Sequence, residues 1–313
     1  MHTINVDLNL LLPLRALLEE RSVSRAAERM KMSQPSLSAA LAKLRRHFGD
    51  ELLQRNGNAY ELTPLAVQLL ERSYTATRSV DRVFAAQAEF DSSTSRREFS
   101  IYSSDYGMAM LGGALATVLG EASMGVRVRF ESMSSSVVNS APDSLREHDG
   151  MLLPHGYLTG TSSHLDLFED KWVCVVAPTN SLVGETLSLN QLSDLPWVMS
   201  FAAQTEFTPA AKQMQMLGVD VRVEIGVPGF LAVPAVLEGT NRIALMQERL
   251  ARRFEKTGQL RLLATPFDAV PFREAFWWNP VHDREPEHAW LRSALVAAVE
   301  RTALTPAPAH RGV

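Results

Sequence analysis

The chain holds one cysteine, Cys174, in 313 residues. A disulfide framework within the chain and a cysteine-rich zinc site are both excluded. Cys174 lies between Val173 and Val175 in a strand-like run. It reads as a buried, inert thiol, and a reducing cytoplasm fits. No stretch approaches the roughly 18 uninterrupted apolar residues of a membrane span. The opening MHTINVDLNLLLPL has neither a charged n-region nor a clean apolar core, so no signal peptide is expected. Catalytic signatures are missing too: no GxGxxG, P-loop, GxSxG or HExxH occurs. His282 and His288 are separated by charged residues and Pro286, which suggests a solvated loop before the last helix. No enzyme activity, cofactor or metal is expected. A strong basic excess is also lacking, since the net charge is −4. That excludes a protein that coats nucleic acid along its whole surface, and leaves room only for a local cationic face.

The most informative absence is local. No acidic residue lies between Glu28 and Asp50, whereas Lys31, Lys43, Arg45 and Arg46 do. The stretch Val23 to Phe48 reads as two helices joined by a turn at Lys31-Met32-Ser33. Ser33 is a good N-cap and Pro35 falls in the first turn. Leu37, Ala40, Leu41, Leu44 and Phe48 then occupy one helical face. The opposite face carries Gln34, Ser38, Ala39, Ala42, Arg45 and Arg46: short or hydrogen-bonding side chains first, cations last. A helix that enters a DNA groove needs that order, because backbone approaches bases at one end and phosphates pass at the other. An ordinary helical hairpin with a solvated basic face is the alternative.

Asp7 to Glu20 is an amphipathic helix with Pro13 inside its pattern, where it starts or kinks the helix. Glu51–Arg55 and Asn58–Leu62 read as a hairpin turned at Asn56-Gly57. Three helices and a hairpin make a winged helix-turn-helix, with Arg55 on the wing. Thr63-Pro64 opens a helix running to about Phe90. Its stripe of Ala66, Leu69, Leu70, Ser73, Thr77, Val80 and Phe84 points to pairing with a second copy, or to packing back on its own domain. After the polar hinge DSSTSRR, strands and helices alternate over some two hundred residues. Strands are expected at 99–103, 126–131, 172–177, 198–201, 221–227, 242–246, 260–264 and 272–278. Helices are expected at 108–119, 209–217, 230–238 and 287–303. The alternation implies an α/β region with mostly parallel sheets.

The run DLNLLLPLRALLEERSVSRAAERMKMSQPSLSAALAKLRRHFGDELLQR resembles the N-terminal pattern of LysR-type transcriptional regulators. Its strongest elements are AAERM, SQPSLS, L-x-x-L-R-x-x-F-x-D and the later L-T-P. FDSSTSRREFSIYSSDYG, VPGFLAVPAVLEGTNRIALM and FREAFWWNPVHDREPEHAWLR resemble the branch holding nodulation regulators and naphthalene/salicylate-type regulators. The resemblance implies an α/β protein with a helix-rich N-terminal part. Residues 1–63 would form a winged helix-turn-helix and 64–90 a linker and dimerisation helix. Residues 91–305 would form a two-lobed, periplasmic-binding-protein-like effector domain, with 306–313 a disordered tail. Lobe I would comprise 97–164 and 271–303, and lobe II 165–270, with crossings near His164–Phe168 and Thr265–Phe272. It implies a bacterial, cytoplasmic, nucleoid-associated regulator without enzyme activity. Its partners would be an operator in double-stranded DNA, a small-molecule inducer, RNA polymerase and further copies of itself in a dimer or tetramer.

Carried over residue by residue, the resemblance assigns Ser33, Gln34, Pro35, Ser36 and Ser38 to the groove. Arg25, Lys43, Arg46 and Arg55 fall to the phosphates. Many relatives place Arg or Asn where this chain has Ala39. In the effector cleft, Ser103, Ser104 and Asp105 follow the first strand, and Phe201 and Ala202 follow a strand of the other lobe. Pro228, Gly229 and Phe230 lead into a helix N-terminus that would favour a carboxylate or another anion. Lys171 stands where aromatic-sensing relatives show histidine, which weakens the case for a salicylate-like inducer, although a lysine could pair with an acid. Ser103 and Ser104 could equally serve the backbone, and Phe201 and Phe230 the core. Of Trp277 and Trp278, alternation puts one in the core and the other near the cleft. Two further readings are a small-molecule-binding or catalytic α/β protein with a helical oligomerisation module, and an exported solute-binding protein.

Overall fold

A computed structural model describes residues 7–57, 59–85, 90–122, 125–158, 162–200 and 209–302. The chain divides into two compact units, 1–87 and 88–313. The tail from Pro306 and the pair Phe201 and Ala202 lie outside the described residues.

In the first unit, α1 (Leu11–Glu20), α2 (Val23–Met30) and α3 (Gln34–Phe48) precede a hairpin of β1 (Leu53–Asn56) and β2 (Ala59–Leu62); α4 (Pro64–Ala85) follows. Leu14, Leu17, Leu18, Ala26, Ala27, Leu37, Leu41 and Leu44 form its core. The two adjacent alanines of α2 let the helices approach closely, because neither side chain extends beyond Cβ. Asn56 pairs with Ala59, so it ends β1 and is not a turn residue as the Asn56-Gly57 reading had it; Gly57, at φ 60°, takes the left-handed conformation such a turn requires. On α4, Ala66, Ser73 and Thr77 are buried, and α4 packs along α1. Half of its small-residue stripe is thus covered within the chain, while Val67 and Val80 stay exposed.

The second unit contains two five-stranded sheets. Its elements in order are β3 (Glu98–Ser103), α5 (Asp105–Ala122), β4 (Arg127–Ser132), α6 (Ser135–Asn139), α7 (Ala141–Glu147), β5 (Gly150–Pro154), β6 (Ser163–Asp170), β7 (Trp172–Val176), α8 (Leu189–Asp194), β8 (Pro196–Ser200), α9 (Pro209–Met216) and β9 (Arg222–Val227). A 3-10 turn (Phe230–Ala232) leads into α10 (Val233–Leu237), followed by β10 (Ile243–Gln247), α11 (Glu248–Lys256), β11 (Arg261–Ala264), β12 (Phe272–Trp278) and α12 (Pro286–Glu300). One sheet is ordered β4-β3-β5-β12-β6 and the other β11-β7-β10-β8-β9.

These sheets are mixed, not mostly parallel. β12 runs antiparallel to β5 and β6, and β7 antiparallel to β10 and β11. A chain that crosses to a second sheet and returns brings its last strand back in the opposite sense. The first crossing also falls later than His164–Phe168. β6 pairs with β12 as far as Asp170, so residues 165–170 belong to the first sheet and the crossing is at Lys171. The return lies between Ala264 and Phe272. Trp277 and Trp278 are both buried, on opposite faces of β12 and at its far end from the crossings, so neither reaches the cleft. His282 and His288 are not solvated either: they are 2% and 0% exposed, with rings stacked at 5.2 Å. His288 Nε2 meets the Asp149 carbonyl at 2.7 Å. Cys174 is fully buried, and burial pushes its thiol up to about 12.

Candidate functional site

The exposed face of α3 is built by its caps and its core. Ser36 N–H donates to Ser33 Oγ at 3.3 Å and the two hydroxyls lie 2.7 Å apart, so both serines hold the helix N-terminus. Gly49, at φ 62°, ends the helix in the left-handed conformation. Leu37, Ala40, Leu41 and Leu44 are buried, while Gln34, Pro35, Ser36, Ser38, Lys43 and Arg46 are exposed. Among the described residues Lys43 and Arg46 meet no carboxylate.

Arg45 is used differently from its neighbours. Its guanidinium donates to the carbonyls of Glu51 at 2.8 Å and Leu53 at 3.2 Å, and pairs with the Glu51 carboxylate at 3.1 Å. It therefore fastens the wing to α3 and does not extend the outer basic face. Asp50 completes the joint by accepting from Leu52 N–H and the Thr63 hydroxyl. Arg55 projects from β1 and donates to the Gly57 carbonyl at 3.2 Å. Arg25 donates to the Glu20 carbonyl at the start of α2, with the Glu20 carboxylate 3.5 Å away. Residues 1–87 carry twelve Lys and Arg against nine Asp and Glu, net +3; residues 88–313 carry nineteen against twenty-six, net −7. The cationic face sits in the basic unit of an acidic chain.

The second candidate lies between the two sheets. The Ser103 hydroxyl donates to the Ser104 carbonyl at 2.8 Å, and Ser104 Oγ caps α5 by accepting from Gly107 N–H at 3.1 Å. Both hydroxyls serve the backbone. Phe230 is buried against Trp172. The anion site expected at Pro228-Gly229-Phe230 is filled from within: the Asp105 carboxylate accepts from Leu231 N–H at 2.7 Å. A Cβ on Gly229 would collide with that carboxylate, so glycine is what lets the two lobes meet there. Beside the crossing, Asp170 accepts from the Tyr106 hydroxyl at 2.7 Å, from Lys171 N–H at 2.7 Å and from Arg249 N–H at 3.3 Å. Burial raises the Asp170 carboxyl above its usual range, and burial beside Asp170 raises the Tyr106 phenol well above its own. The Lys171 side chain is exposed, and its carbonyl accepts from Glu248 N–H.

A cavity of about 540 Å³ opens beside the returning segment. His155, Gly156 and Tyr157 line it from the end of β5, Glu169 from β6, Val270 to Arg273 from the return, and Lys212 from α9. Of the nine cleft residues expected from the sequence, none of the seven described ones lines it. The Lys212 ammonium lies 5.6 Å from the centre of the Tyr157 ring. Two residues beyond Phe272, Glu274 is 1% exposed and its Oε1 has no hydrogen-bond partner among the described residues. Burial pushes Glu274 up to about 8, so it is mostly protonated at neutral pH and able to donate. Nothing in the pattern FREAFWW marks that glutamate as special, because a carboxylate on an alternating strand reads as solvent-facing.

Two family models match the chain. The model described as "Bacterial regulatory helix-turn-helix protein, lysR family" covers residues 8–67, and "LysR substrate binding domain" covers 134–300. Nodulation protein D 1 of Rhizobium meliloti (strain 1021) is 33% identical over 303 residues, spanning 95% of this chain and 96% of that protein. Nodulation protein D of Rhizobium leguminosarum bv. trifolii is 34% identical over 301 residues, spanning 95% and 93%. Among solved structures, a probable transcriptional regulator from Pseudomonas aeruginosa superposes with a TM-score of 0.72 at 24% identity, covering 96% of this chain and 98% of that one. Full-length CbnR complexed with its target DNA gives 0.65 at 16% identity, covering 95% and 100%. At these identities the structures show the shared fold.

Proposed function

The chain belongs to the LysR family of bacterial transcriptional regulators, and on that premise we propose which residues bind DNA and where the inducer sits. It is a DNA-binding regulator with an effector-binding domain. The observation that supports the DNA reading is the division of α3 into a buried leucine face and an exposed face of Gln34, Ser38, Lys43 and Arg46. Gln34 offers the bidentate geometry that suits adenine, Ser38 a hydroxyl to a base or phosphate, and Ala39 an apolar contact. Pro35 shapes the helix tip. Lys43 and Arg46 take phosphates, with Arg55 at the wing and Arg25 at the start of α2. Ser33 and Ser36 act as caps that set the helix in place. Two copies joined through α4, where Val67 and Val80 stand exposed, would address two half-sites, and effector domains would join dimers into a tetramer that recruits RNA polymerase.

The test is a gel shift with DNA from upstream of its own gene. Gln34→Ala should weaken binding by about 5- to 150-fold, the worth of one bidentate base contact, and relax sequence preference at one position. Arg46→Ala should weaken all sequences alike and lower the salt slope by about one. A dissociation constant indifferent to salt would overturn the reading.

For the inducer we favour the cavity beside Tyr157, Lys212 and Phe272 over the turn at Gly229, where Asp105 already accepts from Leu231 N–H. Aromatic walls, the cations of Lys212 and Arg273, the latter paired with Glu169, and a neutral Glu274 nearby suit a small aromatic molecule carrying hydroxyl or carbonyl groups. A thermal-shift series of paired phenols and benzoates tests this, with Tyr157→Ala expected to abolish the response.

A further inference from the structure

On the lobe I sheet, away from the Asp105 contact, His155, His164 and Asp166 bring one ligand atom each to within 4.8 Å of one another. His164 and Asp166 alternate on the same face of the edge strand β6, opposite Trp277 and Ala275 of β12. His155 reaches over from the end of β5, where its backbone N–H donates to the Arg273 carbonyl at 3.0 Å. Its Nε2 lies 2.5 Å from Asp166 Oδ1, and His164 Nε2 lies 3.9 Å from the same oxygen.

The surroundings hold these atoms together. Trp277 is fixed by its own N–H, which donates to the Leu153 carbonyl at 2.7 Å. The His164 ring lies tilted over Trp277 at 4.7 Å, and the His155 ring meets it edge-on at 4.9 Å. Arg273 takes the other Asp166 oxygen, Oδ2, at 3.4 Å. That leaves Oδ1 for the histidines and orients the carboxylate, as outer partners of a metal ligand do. Ala275, opposite Asp166, is small and leaves space between the strands. Both histidine side chains are about one-third exposed (35% and 36%), so solvent can fill further coordination positions.

We propose that His155, His164 and Asp166 form a binding site for one divalent first-row transition ion of the Zn²⁺, Co²⁺ and Ni²⁺ class. Two imidazoles and one carboxylate favour these ions over Mg²⁺ or Ca²⁺, which require mostly oxygen ligands. Metal–nitrogen and metal–oxygen bonds of about 2.0–2.2 Å need donor atoms a little over 3 Å apart. The existing separations bracket that value, and a small turn of the exposed His164 closes the set. When the ion enters, the hydrogen on His155 Nε2 is exchanged through solvent for one on Nδ1, so the neutral imidazole coordinates through Nε2. The site adjoins the cavity through His155 and lies four residues before Asp170 on β6, so an ion there would stiffen the strand leading to the crossing.

The experiment is titration of the tag-free, full-length protein with Co²⁺, read by visible absorption and tryptophan fluorescence, followed by Zn²⁺ competition. One Co²⁺ per chain should bind, quench fluorescence and be displaced by Zn²⁺. His164→Gln and Asp166→Asn should each weaken binding at least about tenfold, and His47→Gln, an exposed histidine of the first unit, should not. Trp277→Phe should keep the absorption band and lose most of the quenching. Metal-free melting temperatures matching the parent would show that the variants fold. Absence of saturable binding, undiminished binding in both ligand variants, or quenching that survives Trp277→Phe would each overturn the proposal.

Discussion

Glu274 shows how much one side chain can set in this molecule. Its carboxyl is 1% exposed and pushed up to about 8 by burial alone, so the folded protein binds a proton that the unfolded chain releases near 4.5. Stability from this group is complete below pH 4.5 and is lost as pH rises towards 8, at about 1.4 kcal/mol per pH unit. Glutamine keeps the shape without the proton. Glu274→Gln should therefore raise the melting temperature of the effector unit at pH 7–8, with no gain at pH 4, as read by calorimetry. An equal shift at both pH values would mean that packing, not protonation, is responsible. A group held at that disadvantage beside a cavity fits a role in holding ligand, since buried polar atoms without partners are uncommon.

At the level of elements, α3 and its wing were largely legible because their signals are local. Cap, N-terminal proline and the leucine face all fall within twenty residues of one another. Arg45 was not legible: its period places it on the outer face, yet its long side chain reaches backbone carbonyls eight residues on. β5 and β6 escaped for a different reason. Gly150–Pro154 is a short run buried in all but its last residue, and β6 interleaves acids with apolar residues, so neither gives a clean alternation. The cleft was the least legible part, because Tyr157, Lys212 and Phe272 come from three distant segments. The turn at Gly229 carries a prediction. Asp105 binds Leu231 N–H through a charge-assisted bond of the kind worth about 1.5–3 kcal/mol. Asp105→Ala should raise amide hydrogen exchange over Leu231–Leu237 by about 10- to 150-fold, as seen by mass spectrometry. Unchanged exchange there would show that α10 is held by its core contacts alone.

Across the whole molecule, charge and titration are divided between the units. The basic unit carries the DNA face, and the acidic one carries the buried groups that respond to pH, His288 and Glu274. His288 sits on α12 with Phe276, Trp278 and His282 around its ring; Nε2 lies against the Asp149 carbonyl and Nδ1 is 2.7 Å from Arg292. Burial pushes its imidazole down to about 4, with His282 and Arg292 opposing a further positive charge and Asp149 favouring one. The unfolded histidine binds its proton near 6.5 and the folded one only near 4. Stability from His288 is therefore complete above pH 6.5 and falls as pH drops towards 4, by up to roughly 3 kcal/mol. In the parent the two groups oppose each other between pH 4.5 and 8, since Glu274 gains stability on acidification where His288 loses it. In Glu274→Gln, with that opposition gone, acidification from pH 7 to 5 should increase hydrogen exchange in peptides of β12 and α12, after correction for intrinsic rates, and leave those of α1 to α3 unaltered. Equal loosening of both units would place the acid sensitivity in a shared feature of the chain and not at His288.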